Sequence, residues 1–310
     1  MIVLVAGSSG LAGSAIALAF EKQGHKVVRV NRSVVDLLDL DATRNLVLDI
    51  NPDLIVDAAA RVGGIGANNS FPVEFLVENI RMQTNLMQSA HEMNVEKFVF
   101  LGSSCIYPRE CSQPIKEEYL LTGPLESTNS AYAIAKIAGI ELVKSYRKEF
   151  GAKWISLTPT NLYGPRDNFN LAFCHVLPAL IRRFIEAEQL SSPAVVLWGT
   201  GTPRREFLHV DDLANAVVLV SDQYDSSLHL NIGTGEDITI FELAKMVARI
   251  SGFKGEIVWD STQPDGTSRK VLDVSRIKAM GWKPSIKLDD GIASTIEWYK
   301  KAVEKGEVRL

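Results

Sequence analysis

The first half of the chain alternates short apolar, often β-branched runs with longer segments whose apolar residues recur every three or four positions. Short apolar runs indicate buried strands, and the longer spacing indicates amphipathic helices. Together they predict a parallel sheet covered by helices on both faces, with right-handed crossovers. The predicted strands are Ile2–Ala6, Lys26–Val30, Leu54–Asp57, Lys97–Gly102 and Trp154–Thr158, and the predicted helices are Leu11–Gln23, Leu40–Asp49, Pro72–Met93 and Ala131–Phe150.

The second half of the chain is less regular, and we expect a smaller lobe there. The fold class is therefore α/β: a Rossmann-type doubly wound parallel sheet with a smaller C-terminal α/β substrate lobe and a ligand cleft between them. Residues 1–166 and about 206–250 are assigned to the dinucleotide-binding domain, and about 167–205 and 251–310 to the substrate lobe. The predicted elements are helices His209–Ser221, Ile240–Ile250 and Leu288–Glu304, a strand at Leu228–Ile232, and loops at Tyr163–Pro165, Gly199–Pro203 and Gln263–Gly266.

Composition narrows the class of function. The 310 residues carry a net charge of −4, whereas nucleic-acid binders usually carry the opposite balance. No apolar run approaches the ~20 residues of a membrane span, and the first residues show no secretory signal. An odd number of cysteines, namely Cys105, Cys111 and Cys174, argues against a disulfide framework, and no Cys/His spacing resembles a metal site. We expect a cytoplasmic protein that binds neither nucleic acid nor membrane.

A glycine-rich loop with the spacing GxxGxxG joins the first predicted strand to the first predicted helix. Glycines in this position let the backbone turn tightly and approach a pyrophosphate, and the helix N-terminus offers free N–H groups. An ordinary strand-to-helix turn is the alternative, but the position at the first βα junction favours a dinucleotide site. The expected cofactor contacts here are Gly7, Ser8, Ser9, Gly10, Leu11, Ala12 and Gly13.

The residues after the second predicted strand indicate which dinucleotide is bound. NAD sites usually place an acidic residue there for the ribose 2′-hydroxyl, but this chain has Arg32 and no acid before Asp36. A guanidinium suits a 2′-phosphate, so the sequence favours NADP(H). A solvated surface arginine is the alternative interpretation of Arg32.

A tyrosine and a lysine four residues apart, Tyr132 and Lys136, share one face of a predicted helix. A nearby ammonium favours phenolate, so we expect Lys136 to lower the pKa of Tyr132 towards a value useful for proton transfer. Ser103 and Ser104 follow the fourth predicted strand, at the sheet edge where ligands bind. Tyr-x-x-x-Lys pairs often occur by chance, but Ser, Tyr and Lys after a GxxGxxG form the arrangement of short-chain dehydrogenases/reductases.

Several longer blocks resemble the GDP-L-fucose synthases, the GDP-4-keto-6-deoxy-mannose epimerase/reductases, over essentially the whole chain. These blocks are Ala60-Arg-Val-Gly-Gly-Ile65, Ala67-Asn-Asn69, Leu101-Gly-Ser-Ser-Cys-Ile-Tyr-Pro108, Tyr132-Ala-Ile-Ala-Lys-Ile-Ala-Gly-Ile140, Pro159-Thr-Asn-Leu-Tyr-Gly-Pro165, Trp198-Gly-Thr-Gly-Thr-Pro203, Arg205-Glu-Phe-Leu-His-Val-Asp-Asp212 and Pro264-Asp-Gly-Thr267. The resemblance implies epimerisation of a 4-keto sugar at C3 and C5, followed by NADPH-dependent reduction at C4.

The resemblance also implies a role for each reactive residue. Cys105 is the base and His175 the acid of epimerisation, Tyr132 and Ser103 act on the C4 oxygen, and Lys136 holds the nicotinamide ribose. From the residues alone, a small buried hydrophobe is the preferred interpretation of Cys105, and a structural histidine that of His175. A thiolate base requires nearby cations that lower the thiol pKa.

The remaining expected contacts also come from the resemblance, as does a homodimer built on the helices Pro72–Met93 and Ala131–Phe150. The rival interpretation within the same fold is a UDP-sugar 4-epimerase with tightly bound NAD, and a non-catalytic NADP-binding protein is a rival of another class. Further cofactor contacts are Leu101, Gly102, Ser103, Ser104, Lys136, Pro159, Thr160, Asn161, Leu162 and His175, and the GDP-sugar contacts are Arg183, Trp198, Arg205 and Arg269.

Overall fold

A computed structural model describes residues 1–263 and 265–310, so the sequence motif and loop that include Pro264 lie partly outside the described residues. The helices are α1 (Leu11–Lys22), α2 (Leu40–Ile50), α3 (Ile65–Ser70), α4 (Pro72–Glu92), α5 (Ser130–Phe150), α6 (Val176–Gln189), α7 (Val210–Gln223), α8 (Ile240–Ser251), α9 (Ser275–Ala279) and α10 (Leu288–Glu304). None of the described helices combines the length and the apolar character needed to cross a membrane.

The strands include every strand predicted from the sequence, together with shorter ones in the second half. They are β1 (Ile2–Ala6), β2 (Lys26–Val30), β3 (Leu54–Asp57), β4 (Lys97–Leu101), β5 (Lys153–Pro159), β6 (Asn161–Tyr163), β7 (Ala194–Trp198), β8 (Arg204–Arg205), β9 (Phe207–His209), β10 (Leu230–Ile232), β11 (Ile238–Thr239), β12 (Glu256–Asp260) and β13 (Arg269–Lys270). The predicted strand boundaries agree with the structure to within two residues.

The central sheet has six strands in the order β10-β5-β4-β3-β1-β2. Every neighbouring pair is parallel, so the carboxyl ends of all six strands meet at one edge. From β1 the chain adds β2 on one side and then crosses to add β3 on the other. This reversal opens a crevice between β1 and β3, the place where open α/β sheets bind ligands. The prediction of a doubly wound parallel sheet is confirmed.

Burial on both faces explains why the sheet strands are almost continuously apolar. Val3 to Ala6 of β1 and Leu54 to Val56 of β3 have no exposed surface. Helices α1 and α7 pack together, and α4 packs between α2 and α5. The sheet and these helices form the first core.

A second core lies in the later part of the chain. It is formed by α6, α8 and α10 around Phe169, Phe184 and Tyr299. Around it, β7 pairs with β12, and β8 lies between β11 and β13. The two cores correspond to a large sheet lobe and a smaller lobe.

The two cores differ from the predicted division at two places. Helix α8 was assigned to the dinucleotide-binding domain, but Leu243 and Val247 on its apolar face pack in the second core. Conversely, Leu272 and Ile277 were assigned to the substrate lobe and pack in the first core. Leu272 and Ile277 pack there because the chain returns to the sheet lobe after β13, where the Ile115 N–H donates to the Val271 carbonyl.

Candidate active site

The glycine-rich loop lies at the crevice between β1 and β3. Gly7 has φ +75°, and a Cβ there would lie 2.6 Å from the Ala58 carbonyl oxygen, so only glycine fits. A Cβ on Gly13 would lie 2.3 Å from the Gly7 carbonyl oxygen. Because Gly13 has no side chain, the first turn of α1 can pack directly against the loop. Among the described residues, no side chain caps α1 at Gly10. The free N–H groups of this helix end suit a phosphate, so the loop fits a dinucleotide.

The serines of the loop and Arg32 take different positions. The Ser8 hydroxyl is buried and donates to the Val30 carbonyl at 3.0 Å, so it ties the loop to the end of β2. Ser9 is exposed. Arg32, just after β2, is largely exposed, and its guanidinium lies 3.8 Å from the Glu78 carboxylate. Most of the Arg32 donors are therefore accessible to a ligand.

The Ser–Tyr–Lys group lies where β4 ends and α5 passes over it. A Cβ on Gly139 would lie 2.3 Å from the ring of Phe100, so this glycine lets α5 approach β4 closely. The approach buries Tyr132 and Lys136 beside Ser103 at the carboxyl edge of the sheet. The structure thus brings the three predicted residues together.

Lys136 is oriented by the strand below it. Its ammonium donates to the Leu101 carbonyl at 2.9 Å and lies 4.8 Å from the ring centroid of Phe100. The same ammonium is 5.8 Å from the ring centroid of Tyr132. Burial lowers the pKa of Lys136, while the charge of Asp57 acts in the opposite direction.

The expected direction of the Tyr132 pKa shift is wrong. Burial raises the pKa of Tyr132 well above its ordinary value, the charge of a Cys105 thiolate raises it further, and only the hydrogen bond with Ser103 lowers it. Desolvation of the phenolate outweighs the attraction of the lysine, which lies beyond direct contact. Tyr132 is therefore a protonated phenol at neutral pH.

Cys105 lies in the same buried group, in a short turn after β4. Its backbone N–H donates to the Ser103 hydroxyl at 3.4 Å, and the residue is 8% exposed. Burial raises the pKa of the thiol, and Lys270 is the cation that opposes this rise most, followed by Lys136. The expected cations are nearby, but their charges do not overcome the effect of desolvation on the thiol pKa.

Lys270 was missed by the sequence analysis. In the parallel pair β8–β13, Arg204 is opposite Arg269, and Arg205 is opposite Lys270. Residues opposite each other share one face of a sheet, so Arg205 and Lys270 share the face that reaches Cys105. Lys270 is far from Cys105 in the sequence, and the two residues of β13 are too few to show alternation, so no local signal in the sequence identified Lys270.

Arg269 is turned away from that face. Its guanidinium bonds to Asp237, which also binds Arg204 at 2.6 Å. The Asp237 side chain is almost fully buried. Asp237 directly precedes β11, so its bonds to Arg204 and Arg269 connect β8, β11 and β13. The predicted substrate residue Arg269 is therefore not brought together with Arg205.

The other predicted ligand contacts range from buried to exposed. Arg205 is half-buried, with its guanidinium on the Arg204 carbonyl at 2.8 Å. Trp198, at the end of β7, is 71% exposed, and Arg183 is half-buried on α6. Pro159 ends β5, Asn161 and Leu162 begin β6, and the N–H of Thr160 between them donates to the Ile232 carbonyl at 2.9 Å.

His175 is the residue before α6, with an extended backbone. The residue is exposed, and desolvation by the surrounding protein atoms lowers the pKa of its imidazole. Among the described residues its side chain has no hydrogen-bond partner. It is therefore accessible to a ligand.

Asp57 is a second residue that the sequence analysis missed. It ends β3 beside the glycine loop, and its Oδ1 accepts the Ala59 N–H at 3.1 Å. Its Oδ2 is buried without a partner among the described residues. Burial raises the pKa of Asp57 to about 6, against the charge of Lys136. The signal in the sequence was an acid at the carboxyl end of a buried strand.

The fold and this site are those of a nucleotide-dependent short-chain reductase or epimerase, and comparison with known proteins agrees. The family model described as the NAD dependent epimerase/dehydratase family matches residues 3–233. Together with the glycine loop, this match indicates a nicotinamide cofactor.

Similar proteins narrow the family further. The chain is 49% identical over 302 residues to GDP-L-fucose synthase 1 of Arabidopsis thaliana, covering 97% of this chain and 94% of that protein. It is 47% identical over 307 residues to GDP-L-fucose synthase of Escherichia coli strain K12, covering 96% of each. A solved GDP-L-fucose synthetase from Naegleria fowleri bound to NADP superposes with a TM-score of 0.92 at 28% identity, covering 100% and 96% of the two chains. The chain belongs to the NAD dependent epimerase/dehydratase family and, within it, to the GDP-L-fucose synthases.

Proposed function

We propose that this protein converts GDP-4-keto-6-deoxy-D-mannose to GDP-L-fucose, by epimerisation at C3 and C5 and then NADPH-dependent reduction at C4. The observation that carries the proposal is the buried thiol of Cys105 beside the hydroxyls of Ser103 and Tyr132. A reductase alone needs the hydroxyls but has no use for an acid–base thiol. The similarity to GDP-L-fucose synthases over nearly the whole chain supports the same substrate.

Epimerisation uses acidified C–H bonds. The C4 ketone acidifies the protons at C3 and C5, and the Cys105 thiolate removes each in turn. The negative charge that develops on the C4 oxygen is stabilised by hydrogen bonds from Tyr132 and Ser103. His175 then returns a proton to the opposite face of the carbon. Before the second epimerisation, the Cys105 thiol loses its proton to solvent and His175 takes one up from solvent. Positioned acids and bases of this kind contribute roughly 10²–10⁴-fold each.

Reduction uses the same oxygen. A reduced dinucleotide, held by its pyrophosphate at the glycine loop and by its nicotinamide ribose at Lys136, would supply the hydride for C4. Tyr132 gives its phenolic proton to the C4 oxygen, a role that suits a phenol whose raised pKa keeps it protonated. Lys136 holds the nicotinamide ribose and restores charge balance as Tyr132 loses its proton. A proton from solvent then returns Tyr132 to its protonated form.

The cofactor is NADP(H) rather than NAD(H) in this proposal. Arg32 supports it, because it follows β2 with an exposed guanidinium suited to a 2′-phosphate, and no acid precedes Asp36 there. The kcat/KM values for NADPH and NADH test the point, with Arg32→Gln as the diagnostic variant. A wild-type preference for NADH, or an unchanged preference in Arg32→Gln, contradicts it.

The GDP part of the substrate is assigned to the rim of the cleft. Arg205 and Arg183 supply guanidinium groups for the diphosphate, and Trp198 offers an exposed ring for the sugar or base. Arg269 contributes to this site only indirectly. Its bond to Asp237 helps to hold the β8–β13 strand pair, which carries Arg205. We also assign the protein to the cytoplasm, in keeping with its three free cysteines.

The decisive assay identifies the product. We expect GDP-4-keto-6-deoxy-mannose and NADPH to yield GDP-L-fucose with one NADPH consumed per sugar. A UDP-hexose incubated with NAD serves as the control and should give no 4-epimer. Consumption of NADPH with a product that retains the manno configuration at C3 and C5 would make the protein a C4 reductase and contradict the proposal.

A further inference from the structure

Two blocks of the sequence, Ala60–Ile65 and Ala67–Asn69, have no part in the chemistry described above, yet they lie against the loop that carries His175. The Gly64 N–H donates to the Phe173 carbonyl at 2.7 Å. A Cβ on Gly64 would lie 2.3 Å from the Cys174 carbonyl oxygen, and one on Gly66 would lie 2.9 Å from the Ala172 carbonyl oxygen. The backbone of this segment is thus in direct contact with the three residues before His175.

Close approach, and not backbone conformation, explains the glycines. Gly64 has φ −68° and ψ −176°, values that any residue adopts. Gly66 lies inside α3, where alanine is the better helix former. A side chain at either position is therefore excluded by steric overlap with the loop before His175 and not by the backbone conformation.

A buried amide holds the segment in this shape. The Asn68 side-chain NH₂ donates to the Gly63 carbonyl at 2.8 Å and to the Gly64 carbonyl at 3.0 Å. Asn68 is 6% exposed, whereas its neighbour Asn69 is exposed. The two asparagines therefore offer a matched pair, one that supports the segment and one that does not.

The loop before His175 depends on this outside support. Its internal bonds, from the Phe173 and Cys174 N–H groups to the Asn170 carbonyl, close one turn but do not fix that turn in the cleft. The His175 side chain has no hydrogen-bond partner among the described residues. Its position is therefore set by the backbone that carries it and by what that backbone contacts.

We propose that Gly64, Gly66 and Asn68 are positioning residues for His175, the acid of the epimerisation. The inference rests on the proposed function, since it assigns the segment a part in that reaction. The bonds to Gly63 and Gly64 hold the segment, the segment holds the Ala172–Cys174 backbone, and this backbone places the imidazole.

Loss of this positioning has a signature that general loss of structure does not share. The Cys105 thiolate still takes the proton from C3 or C5 and becomes a thiol, leaving an enolate. Without a placed acid, the thiol exchanges its proton with solvent and returns it to the face from which it came. Deuterium then enters from D₂O with retention of configuration, so exchange continues while inversion falls.

The experiment compares Asn68→Leu with Asn69→Leu, using NMR of the sugar in D₂O without NADPH. We expect the ratio of inversion to exchange in Asn68→Leu to fall by at least about tenfold, in the same direction as in His175→Asn, because a positioned acid contributes roughly 10²–10⁴-fold. Asn69→Leu should keep the wild-type ratio. An unchanged ratio in Asn68→Leu, or an equal fall in Asn69→Leu, overturns the inference.

NADPH binding checks that Asn68→Leu is folded. If this variant does not bind NADPH as the wild type does, the ratio of inversion to exchange in Gly66→Ala tests the inference instead. Gly66→Ala adds one methyl group, and an alanine is favoured in a helix, so a fall in its ratio reports on the contact with Ala172. A wild-type ratio in Gly66→Ala overturns the inference. Failure of the proposed function looks different, because the wild type itself would then show neither exchange nor inversion.

Discussion

Tyr132 and Cys105 lie against the same serine, and burial raises the pKa of each above its ordinary value. The raised pKa favours the role of Tyr132 as a proton donor and opposes the role of Cys105 as a base. A protonated phenol is ready to donate to the C4 oxygen, whereas a protonated thiol must first lose its proton to act as a base. The reduction and the epimerisation therefore depend on different residues around one carbonyl.

Substitution should separate the two half-reactions. Tyr132→Phe removes the proton donor, so we expect reduction to fall roughly 10²–10⁴-fold while exchange at C3 and C5 is retained. Cys105→Ser should do the reverse and produce a reduced sugar that has not been epimerised. NADPH oxidation and NMR in D₂O measure the two activities. If Cys105→Ser exchanges both protons at the wild-type rate, the thiol is only a packing residue.

Lys270 should set the pH dependence of epimerisation. Because the active base is the thiolate and burial raises the pKa of Cys105, exchange should increase as pH rises through neutrality. Lys270 opposes that rise, so Lys270→Met should raise the thiol pKa further and move the ascending limb to higher pH. Arg269→Met is the matched control, since its side chain lies on the other face with Asp237. Coincident profiles for wild type and Lys270→Met would contradict this role.

At the scale of elements, the position of α5 depends on Gly139. Alanine normally stabilises a helix interior relative to glycine by about 1 kcal/mol, but here its Cβ would lie 2.3 Å from the Phe100 ring. We expect Gly139→Ala to lower the free energy of unfolding by roughly 1–3 kcal/mol, the usual cost of overpacking. Phe100→Leu in the same chain should recover part of the loss, as chemical denaturation of the four cycle members would show. A stabilised Gly139→Ala protein would refute the close contact.

The long elements were predictable from the sequence, and the short strands were not. Helices such as α4 and α5 span many turns, so their apolar spacing is unambiguous. Strands β8, β11 and β13 have two residues each, too few to show any alternation, and they exist because their partners lie alongside. The same limit hid Lys270, whose neighbour Cys105 is remote in sequence.

At the scale of the whole molecule, apolar surface remains on the paired helices α4 and α5. Val73 and Val77, one turn apart on α4, are 70% and 39% exposed, and Ile134 on α5 is 47% exposed. We propose that these helices pair with those of a second copy, because a two-fold interface uses the same patch on both chains. Sedimentation should give twice the 34.1 kDa chain mass.

Val77→Asp should shift the protein towards monomer, while Val34→Asp, at an apolar residue that is also exposed but lies elsewhere, should not. A wild-type monomer at micromolar concentration would contradict the dimer. The dimer was suggested by resemblance alone, since the pattern of apolar residues in α4 and α5 does not say which side faces the sheet and which a partner.

The cofactor loop and the Ser–Tyr–Lys group were also recognisable in the sequence, because each lies within a few residues of a predicted strand end. The direction of the Tyr132 pKa shift was not, since it depends on how deeply α5 buries the phenol. Nor was the orientation of Arg269, which depends on the register of β8 and β13.

The central claim is that one site both epimerises and reduces the sugar, and the isotope pattern of the product tests it most directly. We expect wild-type protein in D₂O, with unlabelled NADPH, to form GDP-L-fucose with deuterium at C3 and C5 and protium at C4. The solvent-derived labels report the acid–base steps, and the unlabelled C4 reports the transferred hydride. A reduced product without deuterium at C3 and C5 would contradict the account.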